Sequence, residues 1–173
     1  MRFGVGKLTT RTFLNLNRNA VSDREDYFSP MFVNDPVVLY TARVGLGGYA
    51  QYRADGWYLT GMLRDANSNP NDVFDWSSDG LEYALEFALT PELGELGQRN
   101  YRITAHYTEK AGGTPSDWDL SLSCDQELGE RFGVLLRYAY SHEGLRSFKQ
   151  RAAAGLRWKK PFGFEHDALG IGA

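Results

Sequence analysis

The chain of 173 residues contains a single cysteine, Cys124, which excludes a disulfide framework and a thiolate metal cluster. It has no apolar run approaching the roughly 20 residues that a membrane-spanning helix requires, so crossing a bilayer with helices is excluded. Its formal net charge of −3 is too small to point to nucleic acid or to an acidic substrate. Met1-Arg2-Phe3-Gly4 is not a basic leader followed by an apolar core, so no signal peptide is visible. The last residues, Asp167 to Ala173, read as a strand cut midway. Both ends predict a piece of something longer.

Two-residue alternation is what the chain has in quantity. From Leu81 to Leu89 every odd position is large and apolar, and every even one is Glu or Ala. Successive side chains of a strand point to opposite faces, so this segment has one apolar face and one small, charged face. The pattern recurs. Tyr101, Ile103, Ala105 and Tyr107 alternate with Arg102, Thr104 and His106, and Trp118, Leu120, Leu122 and Cys124 with Asp119, Ser121, Ser123 and Asp125. Phe132, Val134, Leu136, Tyr138 and Tyr140 follow, then Ala152, Ala154, Leu156 and Trp158 opposite Arg151 and Arg157. Serial two-faced strands predict a large antiparallel sheet or barrel.

The alternation divides the chain into a first strand near Phe3 to Leu8 (residues 1–8), a long connection over 9–41 and regular antiparallel strands over 42–173. The connection has no two-fold pattern; a short helix is predicted near Asn19 to Asp26, and Pro30 and Pro36 break regular structure. The regular strands start near Ala42. Ala54-Asp55-Gly56 is a hairpin signal before a strand from Trp57 to Arg64. Five more strands begin near Leu81, Arg99, Asp117, Arg131 and Lys149, and a partial one near Asp167. Tight turns are predicted at Ala54 to Gly56 and Gln126 to Glu130. Longer loops fall at Asp65 to Asp79 (with Phe74 and Trp76), Glu109 to Ser116 and Ser141 to Phe148, an asymmetry that outer-membrane barrels share.

Soluble ligand-binding barrels and membrane barrels share this alternation and differ in which face meets water. Aromatics gather at strand ends. Tyr52, Trp57, Tyr101, Phe132 and Trp158 flank one set of turns, and Tyr107, Trp118 and Tyr140 the other, as in the interfacial girdles of a lipid-facing barrel. Sandwich-core aromatics are the alternative reading. The polar face mixes charges with Ala84, Ala88, Ser121, Ser123, Gly133, Ala153 and Gly155, which suits a crowded, wet lumen. Six arginines at inward positions (Arg53, Arg64, Arg102, Arg137, Arg151 and Arg157) fill a narrow eight-stranded interior badly and favour a wider barrel.

One stretch is not explained by periodicity. Gly6-Lys7-Leu8, Asn17-Arg18-Asn19-Ala20-Val21, Asp26-Tyr27-Phe28 and Val33-Asn34-Asp35-Pro36 together resemble the carbohydrate-selective porin family called OprB. Gly45-Leu46-Gly47, Gly56-Trp57-Tyr58 and Arg64-Asp65-Ala66 are similar to that family's next hairpin, as are Tyr101-Arg102 and Asp167-Ala168-Leu169-Gly170 further on. The resemblance implies a transmembrane barrel of roughly 16 strands, of which this chain supplies about eight, in a bacterial outer membrane. It implies a channel for small sugars.

The candidate chemistry fits a lining better than a catalyst. Glu82 and Glu86 share a face, but four residues of strand separate them by about 13 Å, whereas catalytic carboxylate pairs stand roughly 5–9.5 Å apart. His106, His142 and His166 have no metal-ligand spacing, and Cys124 falls on the apolar face. Gly45-Leu46-Gly47-Gly48 is no phosphate loop, because the alternation runs through it. The expected pore lining is Arg53, Arg64, Glu82, Glu86, Arg102, His106, Asp119, Arg137, Arg151 and Arg157, with His106 as a solvated residue. Arginine forks donate to sugar hydroxyls and the rings of Tyr49 and Tyr58 stack on sugars, or the arginines pair with Glu82, Glu86, Asp119 and Asp125. No catalysis, cofactor or metal is expected, and the partners are small sugars and outer-membrane lipid. A soluble β-barrel or sandwich binding module, apolar face inward, is the alternative.

Overall fold

A computed structural model describes residues 1–8, 14, 44–67, 80–91, 97, 99–111, 113–143, 149–164 and 167–173. The helix expected near 19–26, most of the 9–41 connection, Phe74, Trp76 and His166 lie outside the described residues. The strands are β1 (Arg2–Leu8), β2 (Gly45–Ala54), β3 (Trp57–Asp65), β4 (Leu81–Leu89), β5 (Arg99–Thr108), β6 (Asp117–Leu128), β7 (Phe132–Ser141), β8 (Gln150–Lys159) and β9 (Ala168–Gly172). They form one antiparallel sheet in chain order, with each strand beside the next. The sheet is open: β1 and β9 each pair along one side only among the described residues.

Pairing follows the hydrophobic pattern, because a one-residue slip would exchange the two faces of a strand. Residues opposite one another in an antiparallel pair share a face, so the register assembles the faces row by row. One face carries Arg64, Glu82, Thr108 and Asp117 in a row, and beside it Met62, Ala84, His106, Asp119 and Ser141. The other carries Leu63, Tyr83, Tyr107 and Trp118, then Leu59, Phe87, Ile103, Leu122 and Tyr138.

Burial is inverted relative to a water-soluble sheet. On the polar face Arg64 and Glu82 are 0% exposed, and Glu86, Thr104, His106, Asp119 and Asp125 are also buried. On the apolar face Leu85 is 52% and Leu136 48% exposed. The buried apolar residues sit mostly among the charged ones: Leu8, Leu14, Met62 and Ala84 form a cluster with Tyr49 against it. Leu14 thus brings one point of the long connection onto the polar face, here called the inner face.

Local chemistry sets the turns. Gly56 takes φ 73° in the β2–β3 hairpin, and the Thr90 N–H donates to its carbonyl at 2.7 Å, tying the end of β4 to that turn. At Gly47 an added Cβ would stand 2.3 Å from the Leu63 carbonyl oxygen, so the close approach of β2 to β3 requires glycine there. The turn expected at Gln126 to Glu130 is shorter than its signal. Pairing continues through Glu127↔Gly133 and Leu128↔Phe132, and Gly129 (φ 65°) reverses the chain. The boundaries at Phe3, Ala42, Lys149 and Asp167 move to Arg2, Gly45, Gln150 and Ala168. A one-turn 3-10 helix, Pro161–Gly163, lies in the last connection. No helix among the described residues is long and apolar enough to cross a membrane. Strands β2 to β8 have 9–12 residues, against the 9–11 that span a bilayer when tilted.

Candidate functional site: the charged inner face

Four adjacent strands build a chain of charge across the inner face. Arg64 on β3 pairs through Nη2 with Glu82 Oε2 on β4 and reaches the Leu8 carbonyl through Nη1 at 3.5 Å. His106 on β5 places Nε2 3.1 Å from the other Glu82 oxygen, an ion-pair approach off the hydrogen-bond axis. Its Nδ1 meets Asp119 Oδ2 on β6 at 2.9 Å. Carboxylate oxygens of ionised acids only accept, so a ring flanked by two of them, one hydrogen-bonded at Nδ1 and one at ion-pair distance from Nε2, is favoured in the form with two N–H groups. The order is cation, anion, cation, anion. Such alternation is what allows charges to be buried, since an uncompensated one costs several kcal/mol, roughly, even after relaxation.

A second cluster lies four residues along the same strands. Glu86 accepts from the Tyr58 hydroxyl at 2.8 Å and from Thr104 Oγ1 at 2.9 Å. Arg102 also hydrogen-bonds the Tyr58 side chain, and the Arg53 guanidinium stands over the Tyr58 ring, 5.5 Å from its centre. Gln51 Nε2 donates to Thr60 Oγ1 at 2.9 Å. Glu82 and Glu86 therefore serve separate sets of donors, and His106 stands between Glu82 and the nearest cross-strand acid, Asp119.

All six expected arginines occupy inner-face register positions. Arg102 and Arg137 share one row, each opposite Ser123, and Arg53 heads the same row opposite Tyr58. Arg102 and Arg137 are buried, Arg53 is exposed, and Arg151 and Arg157 are half-buried opposite Ala139 and Gly133. His106, expected to be solvated, is only 3% exposed because Glu82 and Asp119 clamp it from neighbouring strands. Tyr49 packs against the cluster of Leu8, Leu14, Met62 and Ala84, with its ring close over Gly4. Among the described residues no group of three or more His, Cys, Asp or Glu is arranged to hold a metal ion.

The structure adds partners that single-strand patterns do not disclose. Asp117 accepts from Ser141 Oγ at 2.5 Å and from the Glu143 N–H at 2.9 Å, tying the end of β7 and the two residues after it to the start of β6. Lys159 pairs with Glu127 at 2.5 Å. On the outer face the aromatics form two bands. Tyr83–Tyr107, Trp118–Tyr140 and Trp118–His142 are in ring contact on the long-loop side. Tyr52–Trp57, Trp57–Phe87, Phe132–Trp158 and Trp158–Phe162 are in contact on the tight-turn side. Between them run Leu85, Ile103, Leu122, Leu136 and Leu156.

Comparison of the chain with protein-family models, with curated proteins and with solved structures gave no match.

Proposed function

We propose that this sheet is part of a transmembrane β-barrel of the OprB porin type, a passive channel for small carbohydrates in a bacterial outer membrane. One observation carries the reading: charged residues are buried on one face while large apolar residues, banded by aromatics, are exposed on the other. A lipid-facing barrel has that polarity, an apolar belt between two aromatic girdles around a polar interior. A soluble barrel or sandwich has the opposite one. Hydrogen-bonding and charged groups of the inner face would select solutes by width and by lining chemistry, without catalysis or a cofactor.

Barrel closure has a parity requirement. Neighbours in the sheet are antiparallel, so β1 and β9, both odd-numbered, run in the same direction. Closing an all-antiparallel barrel on these edges takes an odd number of further strands. A second copy inserted in the same orientation would meet them parallel.

Swelling of liposomes containing the full-length protein tests the proposal. Monosaccharides are expected to enter, and rates should fall as solute size increases. Absence of sugar-dependent swelling from a folded, membrane-inserted protein sinks the transport reading; a compact monomer in detergent-free buffer favours the soluble module.

A further inference from the structure

The connection from β8 to β9 differs in its backbone from the other tight turns. In the β2–β3 and β6–β7 turns the left-handed positions are glycines, Gly56 (φ 73°) and Gly129 (φ 65°). In the β8–β9 connection Lys160 (φ 53°, ψ 50°) and Phe162 (φ 55°, ψ 16°) stand there, the two non-glycine residues with positive φ among the described residues. A Cβ is crowded in that region, so a bulky L-residue is unfavourable where glycine is not. The turn is nonetheless closed. The Lys160 N–H donates to the Asp167 carbonyl at 2.9 Å and the Phe164 N–H to the Pro161 carbonyl at 3.1 Å, and Pro161 is buried.

This conformation presents aromatic rings outward. Phe162 is 79% and Phe164 63% exposed. The Phe162 ring contacts Trp158 with 5.2 Å between centres, and Trp158 stacks on Phe132 at 6.4 Å. Trp158 stands opposite Phe132 and Leu169 in the register, on the apolar outer face. Phe162 thus continues the tight-turn aromatic band past the end of the strands. In water, a contact that leaves most of the ring wet offsets little of the backbone crowding, and glycine at 162 would make a plain turn more easily. The boundary between lipid headgroups and acyl chains, by contrast, takes up aromatic rings. A long lysine stem lies along such a boundary with its ammonium among the headgroups, and Lys160 is exposed at the start of the turn.

We propose that the turn 160–164 is a membrane-interface anchor, which seats Phe162 and Phe164 at the headgroup–acyl boundary of the phospholipid leaflet on the tight-turn side. The inference rests on the lipid-facing reading of the outer face and adds to it a contact made by a turn rather than by the strands.

Power-saturation EPR of the full-length protein in phosphatidylcholine vesicles tests it. On a Cys124→Ser background, one nitroxide per protein is attached through Phe162→Cys, Phe164→Cys, Leu85→Cys or Glu130→Cys; Glu130 is exposed in the β6–β7 turn on the same side. The ratio of collisions with oxygen to collisions with a water-soluble nickel chelate should be at least threefold higher at 162 and 164 than at 130. Adding Phe162→Asn, which suits a left-handed backbone but has no ring, should lower the ratio at 164 at least twofold. Resistance of the folded band to heating on gels confirms that each variant is folded. Ratios at 162 and 164 equal to that at 130, or a ratio at 164 indifferent to Phe162→Asn, overturn the proposal. A high ratio at 85 with low ones in the turn removes the anchor and leaves the lipid-facing sheet; a low ratio at 85 with high ones in the turn does the reverse.

Discussion

Leu85→Arg and Leu89→Arg place the same charge on the same face of the same strand. Leu85 is the middle residue of β4 and 52% exposed, and Leu89 is its last residue and 43% exposed. Leu85 sits opposite Gly61 and Ala105, in the aliphatic band, whereas Leu89 sits opposite Trp57 and Tyr101, in an aromatic one. The two lie about 13 Å apart along the strand. In a bilayer an arginine at the midplane of a barrel's lipid face costs about 2–4 kcal/mol, falling to about 0–1 near the interface. Leu85→Arg should therefore lower the folding constant roughly 30- to 700-fold at 1.4 kcal/mol per decade, and Leu89→Arg by a small factor. The assay is urea titration of the full-length protein folded into phospholipid vesicles, followed by tryptophan fluorescence. On a water-exposed face both substitutions would stay within about 0.5 kcal/mol, and against a second protein layer both would be expensive. Equal costs at the two positions, whether small or large, would refute the depth argument and with it the lipid-facing assignment.

Arg64→Met removes one end of the buried charge chain and leaves Glu82 with a reduced cation set, so about 3–5 kcal/mol of stability should be lost in the same titration. Gly47→Ala, whose Cβ meets the Leu63 carbonyl oxygen at 2.3 Å, should cost about 1–3 kcal/mol. Gly61→Ala, whose nearest neighbour is 3.9 Å away, should be tolerated, and the comparison is read from urea midpoints. With Cys124 replaced by Ser, a Val5→Cys and Ile171→Cys pair probes the outward edges β1 and β9; parity predicts no disulfide within one folded chain. Quantitative cross-linking would mean that the nine strands close on themselves through a parallel pair.

Much of the architecture is legible because alternation is a local signal. The parity of each run assigns Glu82, Glu86, Arg102, His106, Asp119 and Arg137 to one face without reference to any other strand, and Asp55-Gly56 marks its hairpin. What alternation does not carry is register. Glu82 meets Arg64 across 18 positions and Asp119 meets His106 across 13, and both pairings depend on how many residues each turn consumes. The β6–β7 connection shows the difficulty: its polar residues look like turn from Gln126 onward, yet ladder pairing holds to Leu128. His106 accordingly reads as a solvated residue until its two carboxylate neighbours are placed beside it. Leu14 sits in a stretch with no period at all, so its place against Met62 and Ala84 has no sequence signal.

The register also separates charges that hold the sheet from charges that can meet a solute. On the long-loop side, Arg64, Glu82, His106 and Asp119 are ion-paired in series across four strands, and replacing any of them should change stability first. On the tight-turn side the composition of the face shifts. Arg53, Arg102 and Arg137 share a row in which the intervening inner positions are Tyr58, Ala88 and Ser123, none of them anionic. Glu86 in the adjoining row is held by Tyr58 and Thr104. On its other side the row is flanked by Asp125, so this part of the inner face also sets carboxylates beside its guanidinium groups. If the channel proposal holds, the exposed Arg53 is the member of this row that a substitution should change with least cost in stability, whereas Arg64, Glu82, His106 and Asp119, buried and ion-paired, should act on stability first.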